Sequence, residues 1–167
     1  MNPKVAILMG SKSDLKKIQS AFATLNELGI PAVGRVMSAH RTPEVVSEFV
    51  ENAEANGIQV IIAAAGCAAH LAGAVAAHTV LPVIGLPVEG GALNGLDALL
   101  STVQMPGGIP VATVAVGGGG PKNAALLAAQ MIAISDDSLR AKLKEHRKAQ
   151  QKKVAAADEE LQKELQG

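Results

Sequence analysis

Tryptophan and tyrosine are absent from this sequence, and phenylalanine occurs only twice. Flavins and single-stranded nucleic acids are commonly held by stacking on aromatic side chains. A chain with almost no aromatic rings has little with which to build such a site, which disfavours both ligands. The formal net charge is zero, so a basic surface of the kind that binds nucleic acid is not expected either.

Cysteine is nearly as scarce, and long apolar runs are missing. The single cysteine excludes an internal disulfide and fits a reducing cytoplasm, where we expect the protein to reside. Glycine, proline, histidine or charge interrupts every apolar stretch before it reaches the ~20 residues of a membrane span. The segment MNPK, before the first apolar run, is too short and too weakly basic for a signal peptide. No membrane association is expected.

Small and apolar residues are plentiful: the 167 residues include 17 glycines, and 49% of the chain is hydrophobic. This length predicts one domain with a substantial core. Apolar runs typical of strands alternate with helical patterns. The predicted strands cover residues 4–9, 31–36, 58–65, 81–88 and 110–116, and the predicted helices cover 14–28, 43–55, 67–77, 95–104 and 121–133. The order βαβαβαβαβα predicts the α/β class, a three-layer α/β/α sandwich around a parallel sheet.

The last part of the chain has a different composition. Residues 136–166 contain strong helix formers and neither glycine nor proline, which predicts one long helix of ~45 Å. Of the 15 lysines and arginines, 8 lie after residue 139, and apolar residues are too sparse there for a coiled-coil seam or a core helix. Two interpretations remain: a surface helix with a frayed end, or an arm that lies on a neighbouring subunit.

Several polar or glycine-rich segments directly follow predicted strands. They are GSKSD (10–14), SAHR (38–41), AGCAAHLAG (65–73) and PVEGGALNG (87–95). Ligands of parallel sheets bind beyond the carboxyl ends of the strands, so we expect these segments to line one pocket. GSKSD also opens a helix, where exposed N–H groups and the helix dipole attract anions. Ser11 and Ser13 are candidates to bind a ligand there, but either can simply cap the helix.

SAHR is the segment with the most chemistry. Arg41 can bind a phosphate through two parallel hydrogen bonds, and His40 is the side chain best suited to exchanging protons near neutral pH. The residues after it are explained by the following helix. Thr42 is a suitable N-cap, Pro43 suits the first turn, and Glu44 suits the positive end of the helix dipole.

The other histidines and the cysteine carry weaker signals. His70 lies among small residues, where a structural, hydrogen-bonded histidine is the alternative to a functional one. His40, His70 and His78 match no metal-ligand spacing, so no metal site is expected. Cys67 follows Gly66 in an apolar context and is expected to be an unreactive packing thiol.

A set of longer strings occurs in unbroken order over roughly residues 4–134. They are MGSKSD, SAHRTP, AGCAAHLAG, PVIGLPV, LNGLDALLSTVQMPGGIPVATVAV and NAALLAAQ. In this combination the chain resembles the N5-carboxyaminoimidazole ribonucleotide mutase family. The resemblance implies a flavodoxin-like catalytic domain over residues 1–134 and a C-terminal helical arm over residues 135–167 that packs on neighbouring subunits. It also implies a homo-octamer with shared sites, no metal and no organic cofactor.

The same resemblance implies an enzyme of purine (IMP) biosynthesis. Such an enzyme moves a carboxylate from the exocyclic nitrogen of an aminoimidazole ribonucleotide to a ring carbon, with His40 as the acid–base catalyst. The substrate-binding residues carried over are Ser11, Ser13, Asp14, Ser38, Arg41 and His70. By correspondence, Ser11 and Asp14 hold the ribose and phosphate, and Arg41 binds the phosphate. Ser38 and His70 shape the reacting end.

Some positions depart from the family pattern. Ala72 stands where proline is usual, Cys67 where glycine is common, and the turn GGGGPKN (117–123) is unusually rich in glycine. The alanine is expected to loosen the loop that carries His70 without removing a reacting group. The glycine-rich turn is expected to let the backbone bend tightly.

Two rival functions stay open. The sister enzymes of animals carboxylate the ribonucleotide directly with carbon dioxide, although SAHRTP and VQMPGGIPVATVAV favour the mutase. A non-catalytic flavodoxin-like binding or signalling module is the other rival. The lack of aromatic rings argues against a flavin module. A receiver domain would need an acidic cluster after the first strand, where this chain has Ser11, Lys12 and Ser13.

Overall fold

The computed structural model describes residues 2–166 and contains a five-stranded sheet in which every pairing is parallel. Its strands are β1 (Val5–Met9), β2 (Ala32–Val36), β3 (Val60–Gly66), β4 (Val83–Val88) and β5 (Ala112–Thr113). Their spatial order is β2-β1-β3-β4-β5. This is the flavodoxin-like order, whose topological switch point lies between β1 and β3.

Helices cover both faces of the sheet. They are α1 (Leu15–Leu28), α2 (Pro43–Glu51), α3 (Leu71–Ala76), α4 (Leu96–Val103), α5 (Gly120–Ile132) and α6 (Asp137–Gln166), with a 3-10 turn at Lys12–Asp14. Successive residues of a strand point to opposite faces. Val5 and Ile7 of β1 therefore pack with α1 and α5, whereas Ala6 and Leu8 pack with α2 and α3. The predicted three-layer sandwich is confirmed.

The end of α1 shows how local sequence places a boundary. Gly29 adopts φ 75°, and its amide donates hydrogen bonds to the carbonyl oxygens of Leu25 and Asn26. A left-handed residue at this position closes a helix, and glycine occupies it without steric cost. On the predicted apolar face of the helix, Ile18 and Leu25 are buried, but Leu15 is exposed.

Three predicted elements are shorter than expected. The strand expected over 110–116 pairs only at Ala112–Thr113, at the edge of the sheet, after a proline that has no N–H to donate. The helix α2 ends at Glu51 rather than near 55. Beyond it the side-chain amides of Asn52 and Asn56 donate to the carbonyl oxygens of the residues four earlier, which competes with helical bonding. The helix expected from 67 begins only at Leu71.

The predicted C-terminal helix is confirmed as α6, with 30 residues. Its first turns pack against the body of the molecule: Leu139 is buried, and Lys142 Nζ donates to the Leu28 carbonyl oxygen at 3.0 Å. All residues from 147 to 166 are exposed. Within residues 2–166, no helix combines the length and the apolar character that crossing a membrane requires.

Candidate active site

A cleft of about 340 Å³ lies at the carboxyl ends of β1, β2 and β3, beside the topological switch point. Its lining includes Ser11, Asp14, Ser38, His40, Arg41 and His70. The strands end at one edge of the sheet, so three of the four expected segments, which are far apart in sequence, meet there. The expectation is wrong for the fourth, residues 87–95, which lines a separate concavity of about 420 Å³. Larger concavities of about 1030 and 900 Å³ lie along α5 and α6 and at the amino end of β4. The concentration of reactive side chains, and not volume, identifies the candidate site.

The 38–42 loop, residues Ser38 to Thr42, joins β2 to α2 and is closed by its own side chains. Thr42 occupies the N-cap position of α2, as predicted, but its side chain makes no capping hydrogen bond. The predicted capping contact is therefore wrong. The Thr42 hydroxyl instead accepts a hydrogen bond from the Ser38 amide at 2.9 Å and donates to the Ser38 carbonyl oxygen at 3.2 Å. Pro43 and Glu44 lie in the first turn of α2, as expected.

Arg41 is held at the rim of the cleft by two contacts. Its Nη2 donates to the Gly10 carbonyl oxygen at 2.9 Å, and its Nε lies 3.4 Å from Ser38 Oγ. A guanidinium has five N–H donors in a rigid plane. The contacts therefore orient the group while leaving donors for an anion.

His40 and His70 form a direct pair in the cleft. His40 Nε2 and His70 Nδ1 are 2.9 Å apart, with ring centroids separated by 5.0 Å and rings crossing at 85°. Such a bond needs an N–H on one ring and a lone pair on the other. Two imidazolium rings would place two N–H groups against each other, so the bonded pair carries at most one positive charge.

The 10–14 segment forms another wall of the cleft. Ser11 Oγ accepts a hydrogen bond from the Ser13 amide at 3.3 Å and lies 2.8 Å from Ser13 Oγ. Ser13 is not part of the lining but is bonded to Ser11, which is. Burial raises the pKa of Asp14 above its ordinary value, and the backbone hydrogen bond at Ser11 and the charge of Lys17 oppose that shift. Asp14 is thus a partly desolvated carboxyl group within the site.

The predictions for Cys67 and for the glycine-rich turn have different outcomes. Cys67 is exposed and lines the cleft, so the expected packing thiol is wrong, because the residue adopts φ 55° in the loop and does not enter the core. The glycine-rich turn is as tight as expected. Gly117 has φ 83°, and the Gly120 amide donates to the Gly117 carbonyl oxygen at 3.0 Å. A Cβ at Gly120 would collide with the Ala115 carbonyl oxygen.

Sequence reasoning missed one side chain that contacts a segment of the cleft lining. Ser101, in α4, accepts a hydrogen bond from the Ala69 amide at 2.9 Å, one residue before His70. A serine inside a helical pattern carries no signal for such a contact, which depends on how α4 docks. Within residues 2–166, no group of three or more histidine, cysteine, aspartate or glutamate side chains is placed to hold a metal ion.

Comparison with known proteins adds independent information. The family model described as AIR carboxylase matches residues 4–153. The N5-carboxyaminoimidazole ribonucleotide mutase of Bacillus subtilis is 51% identical over 96% of this chain and 99% of that protein. The protein of the same name from Escherichia coli K12 is 54% identical over 92% of this chain and 91% of its own length.

Solved structures agree with the sequence relatives. A crystal structure of Treponema denticola PurE superposes with a TM-score of 0.86 at 32% identity, covering 95% of this chain and 98% of that one. The matches extend over nearly the whole chain, including every segment that lines the cleft. The chain therefore belongs to the AIR carboxylase family, among whose members the relatives at 51–54% identity are named N5-carboxyaminoimidazole ribonucleotide mutases.

Proposed function

We propose that this protein is an N5-carboxyaminoimidazole ribonucleotide mutase, an isomerase of de novo purine (IMP) biosynthesis. It interconverts N5-carboxyaminoimidazole ribonucleotide and 4-carboxy-5-aminoimidazole ribonucleotide. The observation that carries the proposal is the His40–His70 contact of 2.9 Å beside the anchored Arg41 guanidinium. It supplies a proton-exchanging pair next to a group suited to phosphate. The names of relatives at 51–54% identity support the same substrate.

The reaction proceeds through carbon dioxide. Protonated His40 gives its proton to the exocyclic nitrogen as the bond from that nitrogen to the carboxylate carbon breaks, and the bonding electrons return to nitrogen. The ring carbon then attacks the released carbon dioxide and forms a new carbon–carbon bond. Neutral His40 removes the proton from that ring carbon, which restores aromaticity and regenerates the protonated histidine. No proton is gained or lost over the cycle.

The cleft is suited to keeping the intermediate in place. Small side chains, Ala39, Ala65 and Ala68, line it beside the two histidines. Because the released carbon dioxide stays beside the ring carbon, its recapture is effectively unimolecular and needs no high concentration of carbon dioxide in bulk solution. The bond to His70 fixes the His40 ring and limits the pair to one charge, which matches one proton passing out and back.

The remaining residues hold the nucleotide. Arg41 binds the phosphate, because a planar guanidinium pairs with a phosphate at two points where lysine pairs at one. Ser11 and Asp14 bind the ribose and phosphate end, with Ser13 supporting Ser11. Ser38 and His70 shape the reacting end. The mechanism uses neither a metal nor an organic cofactor.

The same proposal includes assembly. Residues 1–134 form the catalytic domain, and residues 135–167 form an arm that packs on neighbouring subunits of a cytoplasmic homo-octamer. An exposed apolar row supports burial between copies: Leu93, Leu96, Leu100 and Val103 recur at helical spacing before and along α4. The exposed length of α6 and the concavity of about 1030 Å³ beside it offer a second contact. Light scattering of the full chain tests the assembly, and a fully active monomer would refute it.

An isotope experiment tests the reaction. The purified protein is given freshly prepared N5-carboxyaminoimidazole ribonucleotide with ¹³C in the carboxylate, in the presence of excess unlabelled bicarbonate. Retention of ¹³C in the product is expected, since the carbon dioxide does not leave the cleft. An unlabelled product, with turnover from aminoimidazole ribonucleotide and bicarbonate, would assign the direct carboxylase instead. No turnover of either substrate would refute both.

A further inference from the structure

The 67–70 loop, residues Cys67 to His70, joins β3 to α3 and carries one of the two histidines in an unusual conformation. Cys67 is a non-glycine residue at φ 55°, and the His70 amide donates to the Ala68 carbonyl oxygen at 2.9 Å. A left-handed backbone at a non-glycine residue costs free energy and persists only where its surroundings hold it. The position of His70 therefore depends on what holds this loop.

Helix α4 supplies that hold. The Ala69 amide, in a residue only 1% exposed, donates to Ser101 Oγ at 2.9 Å, and Ser101 Oγ in turn donates to the Asp97 carbonyl oxygen at 2.7 Å. The hydroxyl thus joins the loop backbone to the first turn of α4. Within residues 2–166, Ser101 is the partner that the structure gives this buried amide.

The next residue of α4 reinforces the contact. Thr102, 2% exposed, donates to the Ala98 carbonyl oxygen at 2.7 Å, and its hydroxyl lies 3.3 Å from the Ala69 carbonyl oxygen. A Cβ at Gly85 in β4 would collide with the Thr102 methyl group, so the helix lies unusually close to the sheet. The loop is thereby tied through α4 to the buried core.

We propose that Ser101 is a positioning residue for the reaction: its hydroxyl fixes the 67–70 loop so that His70 Nδ1 meets His40 Nε2. The inference rests on the proposed function for its kinetic consequences, but its structural part does not. Arg41 lies on a different loop and is held by Ser38 and Gly10. Loss of the Ser101 hydroxyl should therefore disturb the histidine pair and leave the phosphate contact in place.

The test is Ser101→Ala, with Ser47→Ala as the matched control. Ser47 is also a half-buried helical serine, and its Oγ donates to the Glu44 carbonyl oxygen at 3.0 Å, away from the cleft lining. Because a misplacement of 1 Å can cost ~10²-fold in rate, we expect kcat of Ser101→Ala to fall by about 10-fold or more. The KM should change much less, and Ser47→Ala should keep both constants.

A spectroscopic readout separates positioning from a general loss of stability. In protein labelled with ¹⁵N-histidine, Ser101→Ala should shift the imidazole nitrogen signals of His40 and His70 but not that of His78. Unchanged signals with unchanged kcat would overturn the proposal. So would a fall in kcat with the His40 and His70 signals unmoved, because Ser101 would then act by another route.

A measurement on the unmodified protein covers the case in which Ser101→Ala fails to fold. Hydrogen exchange at the Ala69 amide should be strongly slowed relative to exposed loop amides. Exchange as fast as those amides would show that the bond is absent in solution and would overturn the proposal. If the unmodified protein converts no substrate, the proposed function fails, while the histidine signals and the Ala69 exchange still decide the role of Ser101.

Discussion

The 38–42 loop and the 67–70 loop each deliver a histidine to the same cleft, but they are held in opposite ways. The first is closed within itself, since the Thr42 hydroxyl bonds both backbone groups of Ser38. The second is held from outside, since its Ala69 amide bonds Ser101 in a helix that follows a different strand. A loop closed within itself can be understood from its own residues. A loop held from outside depends on the packing of the whole fold.

The largest expected effect compares the two histidines themselves. His40→Asn keeps a hydrogen-bonding group but cannot relay a proton near neutral pH. General acid–base catalysis is worth ~10²–10⁴-fold, and we expect turnover to fall by at least that range. Binding of a substrate analogue and assembly should be kept. Stopped assays measure mutase turnover, and calorimetric titration measures binding of the analogue.

His70→Asn and His78→Asn complete that comparison. His70→Asn should cost less than His40→Asn, because in the proposed mechanism His70 orients the acid–base group and does not itself transfer the proton. His78, whose Nδ1 lies 3.4 Å from Glu51 away from the cleft, is the neutral control. If His40→Asn retains more than about a tenth of normal turnover, well outside the general-acid range, the proton relay belongs to another group. His70 is then the first suspect.

Arg41→Lys tests the other task of the 38–42 loop. Lysine keeps the charge but loses the planar fork. Charge-assisted hydrogen bonds contribute about 1.5–3 kcal/mol each, so analogue binding should weaken by roughly 10-fold or more. Arg35→Lys is the control, since Arg35 stacks over Phe49 and is not part of the cleft lining. If the variant binds the analogue normally but its turnover collapses, Arg41 does not bind the phosphate.

The contrast between the loops also explains which parts of the molecule could be predicted from sequence. The sheet, its helices and the shared rim were predictable, because apolar periodicity and the parallel arrangement place successive strand ends at one edge. Arg41 and His40 were recognisable because their neighbours Pro43 and Glu44 are explained by the helix that follows. Local sequence was therefore sufficient to identify the candidate residues of the self-closed loop, although the Thr42 bonds to Ser38 that close it were not predicted.

Elsewhere the outcome depended on distant contacts. The bond between His40 and His70 joins residues 30 apart, and the bond between Ala69 and Ser101 joins residues 32 apart. Neither distance nor side-chain direction can be obtained from periodicity. The late start of α3 has the same origin, because the loop with the left-handed Cys67 is held by Ser101 of α4 rather than by a glycine. The short β5 lies at one edge of the sheet and follows Pro110, which has no N–H to donate.

A smaller effect is expected when the self-closed loop is opened. Thr42→Val keeps the shape of the side chain and removes both of its hydrogen bonds to Ser38. At ~1 kcal/mol for a net hydrogen bond, KM should rise by about 5-fold through Arg41, with kcat reduced less. Thr79→Val is the control, since Thr79 Oγ1 likewise accepts from a nearby amide, that of Leu81 at 3.0 Å. Equal effects of the two variants on KM would show that the closure does not orient the site.

The smallest effect is expected in the 10–14 segment of the cleft, which carries Asp14. Burial raises its pKa above the ordinary value of 3.8. The folded protein then binds the proton more tightly than the unfolded chain, so the free energy of unfolding falls as pH rises from that ordinary value through the raised one. Above this window the partly buried carboxylate is ionised and destabilises the fold.

Asp14→Asn removes that charge and should raise the denaturation midpoint near neutral pH. The gain in stability should shrink on acidification, and analogue binding should weaken. Urea denaturation of both proteins between about pH 4 and about pH 7 measures the difference, and Asp158→Asn, in the exposed part of α6, controls for the loss of a carboxylate. If the variant is less stable than the parent at neutral pH, the Asp14 carboxylate is stabilised by favourable contacts. The 10–14 segment would then resemble the 38–42 loop, which is held by its own side chains.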